Sequence, residues 1–139
     1  MQGFGVVAWM RLVRLFHRME HVLVGHLRAA DLSLAQFDVL THVGAAEGLT
    51  QQELADRLLV TKGNICQLLD RMTERHLIAR QADGRANRIY LTPIGRGLLD
   101  SIQTPHEILI EKQLGTLTCT ERRELSRLLR KVERSLEAE

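Results

Sequence analysis

The sequence predicts a mainly α-helical chain with one small β-hairpin, and three observations carry that reading. Helix-start signals recur, with Ser33, Thr50, Thr61 and Thr118 each placed as an N-cap whose hydroxyl can accept an orphan N–H of the first turn. Apolar residues then repeat at helical spacing: Ile65, Leu68, Leu69 and Met72 in one stretch, Leu125, Leu128, Leu129, Val132 and Leu136 in another. One Asp-Gly pair, Asp83-Gly84, separates two short runs and marks a two-residue hairpin, with positive φ expected at both of its residues.

The first element is a helix over residues 4 to 28, FGVVAWMRLVRLFHRMEHVLVGHLR. Arg11, Arg14, His17, Arg18, Glu20 and His21 interrupt its apolar run and exclude a membrane span, and no small-residue cleavage site of the secretory type is present. A cytoplasmic helix is expected. Its apolar residues are spread too widely for a single stripe, which predicts packing on its own core and on a partner chain. Ser33 then caps a second helix, with Gln36 closing the capping box and Leu32 meeting Phe37, and that helix ends near Glu47-Gly48.

Thr50 to Thr92 is the stretch around which the chain is organised. Thr50 and Glu53 form the next box, and Leu49 and Leu54 its hydrophobic staple. Thr61 is the expected cap of the following helix, stapled by Val60 and Ile65. With Ile65, Leu68, Leu69 and Met72 turned inward, Gly63, Cys66, Gln67 and Asp70 point outward, and Lys62, Asn64 and Arg71 lie on the flanks. A small, polar first half suits a helix entering the major groove of duplex DNA: Gln and Asn pair with adenine edges, Lys with guanine or phosphate, and Gly admits the backbone. An ordinary solvated helix face would have the same composition.

The hairpin shifts the balance towards nucleic acid. Arg80, Arg85 and Arg88 make it basic except at Asp83, as an arm along phosphates or in a minor groove requires. From 61 to 92, six Lys/Arg stand against three Asp/Glu. The candidate DNA contacts are therefore Thr61, Lys62, Gly63, Asn64, Cys66, Gln67 and Arg71 on the helix, and Arg80, Arg85 and Arg88 on the hairpin.

Pro93 suits the first turn of a fifth helix running to about Gly115, with a kink or break expected near Gln103 because Pro105 removes one hydrogen bond. Thr118 and Glu121 box the last helix, whose apolar stripe can fill an intrachain groove or zip to a second copy. A length of 139 residues supports one domain, and 45% apolar with 26% charged residues is ordinary for a globular protein. The net charge of +2 is too small to argue for nucleic acid by itself.

Cys66 and Cys119 lack metal-ligand spacing and are expected to be reduced thiols. Cys66, near a helix N-terminus, is a candidate for oxidation, and Cys119 for pairing across a dimer. His17 and His21 stand at i, i+4, a spacing that can ligate zinc or nickel, although no second tight pair follows and no resident metal or cofactor is expected. No phosphate loop, nucleophile elbow or paired catalytic carboxylates are present, so an enzyme is not indicated.

The stretch Leu49-Thr50-Gln51-Gln52-Glu53-Leu54-Ala55, with Thr61-Lys62-Gly63-Asn64-Ile65, Leu69-Asp70-Arg71-Met72, Asp83-Gly84-Arg85 and Leu91-Thr92-Pro93-Ile94-Gly95, resembles the winged helix-turn-helix of the multiple antibiotic resistance regulator (MarR) family. The resemblance extends over nearly the whole chain. It implies one domain over 1–139, with a winged helix-turn-helix head at 33–95 and N- and C-terminal dimerisation helices at 1–32 and 96–139. It further implies a homodimeric regulator, a repressor by expectation, that binds a roughly palindromic duplex and is released by an effector. The usual family effector is a small aromatic acid or other amphipathic organic anion, for which Trp9, Arg14, His17 and His42 are the candidates. The alternatives are a redox- or metal-responsive member using Cys66 and Cys119 or His17 and His21, and a winged-helix module that binds a protein instead of DNA. Two features depart from the family pattern: the wing is about three residues shorter between Arg80 and Asp83, and Gln67 stands where many members carry arginine.

Overall fold

The computed structural model describes residues 3–59 and 64–138. The elements follow in the order α1 (Phe4–Arg28), α2 (Leu34–Ala45), α3 (Gln51–Arg57), α4 (Ile65–Glu74), β1 (Ile78–Asp83), β2 (Ala86–Leu91), α5 (Pro93–Gln113) and α6 (Cys119–Glu137). Two compact units divide the chain, residues 1–106 and 107–139.

The first unit holds the core. Helix α2 is its centre, burying Phe37, Asp38, Val39, Leu40 and Val43, and it packs against α1, α3, α4 and β2. Leu54 from α3, Leu69 and Met72 from α4, Ile78 and Ile89 from the hairpin, and Leu99 and Ile102 from α5 complete the cluster. The inward stripe of α4 is as the spacing predicts, with Leu69 and Met72 fully buried and Ile65 and Leu68 packed on the cluster. By contrast α1 buries only Leu27, and Phe4, Trp9 and Phe16 are at least half exposed.

Local hydrogen bonds explain where the helices begin. Ser33 Oγ accepts from the Gln36 amide while Gln36 Oε1 accepts from the Ser33 amide, the full reciprocal box. Replacing Ser33 by alanine strands an amide at the start of α2 and is expected to cost ~1 kcal/mol, read as a shift of the urea midpoint. At Thr50 only half of the expected box forms: its Oγ1 accepts from the Glu53 amide at 3.1 Å, and the Glu53 side chain stays in solvent.

The start of α4 differs from the sequence expectation. Asn64, not Thr61, is the N-cap, its Oδ1 accepting from the Gln67 amide at 3.2 Å, and the helix begins at Ile65. An Asn carbonyl makes the same bond as a Thr hydroxyl, so either residue type can open the helix. Val60, Thr61, Lys62 and Gly63 lie outside the described residues.

The hairpin is antiparallel and its register pairs Asp83 with Ala86, so the two-residue turn is Gly84-Arg85 rather than Asp83-Gly84. Gly84 has φ +62 and Arg85 is not in the positive-φ region. One positive φ at the first turn position is the II′ pattern, in which Gly leads. A third segment joins the base of the hairpin: the Gly48 amide donates to the Ile89 carbonyl at 2.8 Å, the Ile89 amide to the Leu49 carbonyl at 2.9 Å, and Thr50 bridges Arg88.

Helix α5 is continuous from Pro93 to Gln113 with Pro105 inside it, so of the kink or break expected there the break is not present, and the helix stops two residues before Gly115. The division between the two units falls just after that proline, between His106 and Glu107.

In the second unit Thr118 and Glu121 form the expected reciprocal box. The Thr118 amide and hydroxyl hold the Glu121 carboxyl below the ordinary glutamate range. A depressed carboxyl contributes stability above the unfolded value, about 4.3, and loses it as pH falls through the folded value. Acidification below about pH 4 is therefore expected to fray the first turn of α6, read by far-UV circular dichroism against a Thr118→Val control. No residue of α6 is buried, and Leu128, Leu129, Val132 and Leu136 are exposed.

Candidate nucleic-acid interface

Helices α3 and α4 and the hairpin form the predicted reading head, and the structure separates its cations into two kinds. Arg88 is committed to the fold. Its Nε lies 2.6 Å from Asp83 Oδ2 and its Nη1 donates to the Gly48 carbonyl at 2.8 Å. The hydrogen bond that Arg88 donates to the Asp83 carboxylate raises the guanidinium above its ordinary value. Arg80 is likewise paired, its Nη2 standing 2.5 Å from Asp70 Oδ1 on α4. These two arginines hold the hairpin to the α2–α3 loop and to α4.

Arg85 and Arg71 are of the other kind. Each is exposed and makes no side-chain hydrogen bond or ion pair among the described residues. The register places Arg85 at the tip of the hairpin. Its charge is therefore available beyond the end of the sheet.

On α4 the exposed face runs through Cys66, Gln67, Asp70, Arg71 and Glu74. Gln67 carries a free amide among the described residues, since only its backbone N–H is used, by Asn64. Asn64 has spent its carbonyl on that cap and retains its amide N–H groups. Cys66 is an exposed free thiol whose Sγ accepts from Gln51 Nε2 at 3.0 Å, tying the first turn of α4 to that of α3. Thr61, Lys62 and Gly63, the remaining predicted contacts, lie outside the described residues.

A position beside the candidate site that the sequence reading missed is Asp38. It is buried in α2, and its Oδ2 accepts from the Leu59 amide at 2.6 Å, just past the C-terminus of α3. The carboxylate thus anchors the turn that leads from the first helix of the pair to the second. His42, one turn along α2, places Nδ1 2.8 Å from the Asp38 carbonyl oxygen and 3.1 Å from Oδ1. Both are acceptors, so the ring carries a proton on Nδ1. The signal was present as an acidic residue inside the apolar run Phe37-Asp38-Val39-Leu40 with a histidine four residues on.

Of the predicted effector residues, three share one face of α1 and His42 lies apart from them. Trp9, Arg14 and His17 line a hollow of about 760 Å³ whose lining residues all lie on α1, so it is an open helix face rather than an enclosed pocket. His42 does not line it and is occupied with Asp38. Residues three and four apart share a helix face whatever the tertiary fold, whereas a crevice needs a second wall, and spacing cannot supply one. His17 lies 3.8 Å from Glu20, and no group of three His, Cys, Asp or Glu suited to a metal ion forms among the described residues. Cys119 is an exposed free thiol opening α6. No helix among the described residues is long and apolar enough to cross a membrane.

Comparisons with known proteins bear on the same region. The MarR family model matches residues 30–89, which span α2 to β2. A protein of Bacillus cereus, described as an uncharacterized HTH-type transcriptional regulator, is 35% identical over 96 residues, or 69% of this chain and 65% of the relative. The aligned chain thus spans about 65% of that relative's length. The transcriptional regulator HosA of Escherichia coli is 26% identical over 125 residues, covering 84% of this chain and 93% of HosA. Among solved structures, a mutant of the Escherichia coli regulator MarR complexed with operator DNA superposes with a TM-score of 0.81 at 26% identity, over 92% of this chain and 95% of that one. AbsC of Streptomyces coelicolor shares the fold with a TM-score of 0.88 at 19% identity, over 100% of this chain and 98% of AbsC.

Proposed function

The chain belongs to the MarR family, and from that premise we propose that it is a cytoplasmic, homodimeric transcriptional regulator, a repressor rather than an enzyme, that binds a roughly palindromic DNA duplex. The observation that carries this reading is the pairing of a free arginine at the hairpin tip, Arg85, with a polar and partly unpaired face on α4. The solved complex of the Escherichia coli MarR mutant with operator DNA, similar over most of this chain, supports it.

In this reading α4 enters the major groove and Gln67 and the Asn64 amide read base edges, while Arg71 and Arg85 take phosphates or the flanking minor groove. Arg80 and Arg88 act by holding the wing in place. Cys66, braced by Gln51, sits at the groove wall, and Thr61, Lys62 and Gly63 would supply the helix's leading contacts. The terminal regions, 1–32 and 96–139, would form the dimer interface. The exposed apolar residues of α1 and of α6 support that, because faces of this kind are rarely left in water. Two-fold symmetry then sets two heads about one DNA turn apart. An effector that prefers a dimer with another spacing releases the operator, and a hundredfold preference corresponds to ~2.7 kcal/mol.

The test is fluorescence-anisotropy binding to the duplex upstream of the protein's own gene against a scrambled duplex, across a salt series. Tight binding that favours the upstream duplex and weakens steeply with salt is expected. Gln67→Ala should change discrimination at one base pair by ~1–3 kcal/mol. Equal loss on every duplex would remove Gln67 from base reading.

A further inference from the structure

We propose that the polar face of α6 is a second nucleic-acid surface, on which Arg123, Arg127, Arg130, Lys131 and Arg134 bind the phosphate backbone of duplex DNA without regard to sequence. It stands apart from the reading head of α4 and the wing, and either assignment can fail alone.

At about 100° per residue, Arg123, Arg127, Arg130 and Arg134 fall within an arc of roughly 60°, with Lys131 beside them. All five are exposed and share one continuous helix face. Only Arg127 is engaged, its Nε donating to Glu124 Oε2 at 2.8 Å and its Nη2 to Oε1 at 2.6 Å. Arg123, Arg130, Lys131 and Arg134 make no hydrogen bond or ion pair among the described residues. Arg122 points elsewhere on the helix and is paired with Glu111 at 3.3 Å. The pattern works against the helix that carries it: Arg123 and Arg127, Arg127 and Lys131, and Arg130 and Arg134 are like charges four residues apart, an arrangement that destabilises a helix. A face that served only to be solvated would alternate its signs, so the cations point to a polyanion outside the chain.

The geometry of the row selects the polyanion. Leu125, Leu128, Leu129, Val132 and Leu136 lie on the opposite side of the helix, about 180° from the cations. A helix lying on an anionic membrane keeps its cations beside its apolar face, where they snorkel to the headgroups, and here they point the other way. Covering the apolar stripe leaves the cations in water. From Arg123 to Arg134 the row is about 16 Å long, and a duplex of that length carries about ten phosphates. The anions are denser than the cations, so every guanidinium finds a phosphate without a fixed register, and binding is indifferent to sequence. Four of the five cations are arginine, whose planar fork takes two phosphate oxygens at once. An acidic helix offers carboxylates only on one face and at set intervals, and would need a matching register.

Fluorescence anisotropy of a labelled duplex of scrambled sequence, across a salt series, tests the surface on the intact chain. The triple variant Arg123→Gln, Arg130→Gln, Arg134→Gln should bind about tenfold or more weakly and lower the slope of log affinity against log salt by roughly 2–3 for each chain engaged. Its helix content by circular dichroism should not fall, since none of the three side chains has a partner to lose among the described residues. Glu124→Gln releases Arg127 and should tighten binding roughly twofold, a gain that misfolding cannot mimic. The same loss of slope is expected when the triple substitution is added to Arg71→Ala, Arg85→Ala, whose reading head is disabled. An unaltered slope in the triple variant, no tightening in Glu124→Gln, or no scrambled-duplex binding left in the head variant would each overturn the proposal. Displacement of the duplex by poly-glutamate at equal charge concentration would assign the face to acidic proteins, and stripe-dependent binding to phosphatidylserine vesicles without duplex binding would assign it to a membrane; either overturns it too. Slopes that follow the α6 variants, with no preference for the duplex upstream of the protein's own gene, would keep this surface and reject the regulator reading.

Discussion

Gly95→Ala is expected to lower stability by about 3 kcal/mol or more, the upper range for forced overpacking. Gly95 is buried in the first turn of α5, where an added Cβ would lie 2.0 Å from the Leu77 carbonyl oxygen and 2.9 Å from its carbon. Backbone atoms in that position have no rotamer to escape into. The Leu77 carbonyl is moreover held by the Thr92 amide at 3.1 Å, and Thr92 Oγ1 accepts from the Gly95 amide at 3.0 Å while donating to the His76 carbonyl. The helix start and the end of the α4–β1 turn are thus one hydrogen-bonded knot. A fall in melting temperature of roughly 10 °C or more is expected. Gly97→Ala, two residues on, is the control: nothing lies within 4 Å of its added Cβ, and alanine in an exposed helix position should stabilise by ~0.5–1 kcal/mol. Equal stability of Gly95→Ala and wild type would show that α5 does not approach Leu77 this closely.

The second large effect separates two wing arginines that composition treats alike. Arg85→Ala should leave the melting temperature unchanged, because Arg85 is exposed at the turn and has no partner to lose among the described residues. In a dimer it removes two phosphate contacts, so the slope of log affinity against log salt should fall by about 2, and every duplex should weaken together. Arg88→Ala should act the other way round. It frees Asp83 and the Gly48 carbonyl, loosens the hairpin from the α2–α3 loop, and lowers thermal stability before any change in salt slope is seen. A salt slope unaltered in Arg85→Ala would remove the wing tip from the DNA contact.

The two substitutions show what kind of information each level carries. The caps at Ser33 and Thr118, the 25-residue α1, the inward stripe of α4 and the existence of one hairpin were legible in the sequence. Each depends on hydrogen bonds or burial set by residues within about one helical turn or across one tight turn. Near-ties at that range were not resolved: Asn64 and Thr61 are both good caps, and Gly84 can open a turn as readily as close one. Pro105 illustrates another limit, because a proline's local cost does not decide whether the surrounding helix continues; Ile102 and His106, buried on either side of it, hold α5 in the core.

The sequence by itself determined the order of elements, the family resemblance and the basic character of the wing. Tertiary structure alone decided which cations are free. Arg88 meets a carbonyl 40 positions away, Arg80 an acid 10 away, and the Asp38 carboxylate an amide 21 away. A one-dimensional pattern records residue type and periodicity, but an ion pair or a hydrogen bond forms only where folding brings two groups within about 3 Å with the right alignment. The same physics governs a ligand site on the face of α1: charge is written in composition, while a second wall exists only once helices have packed.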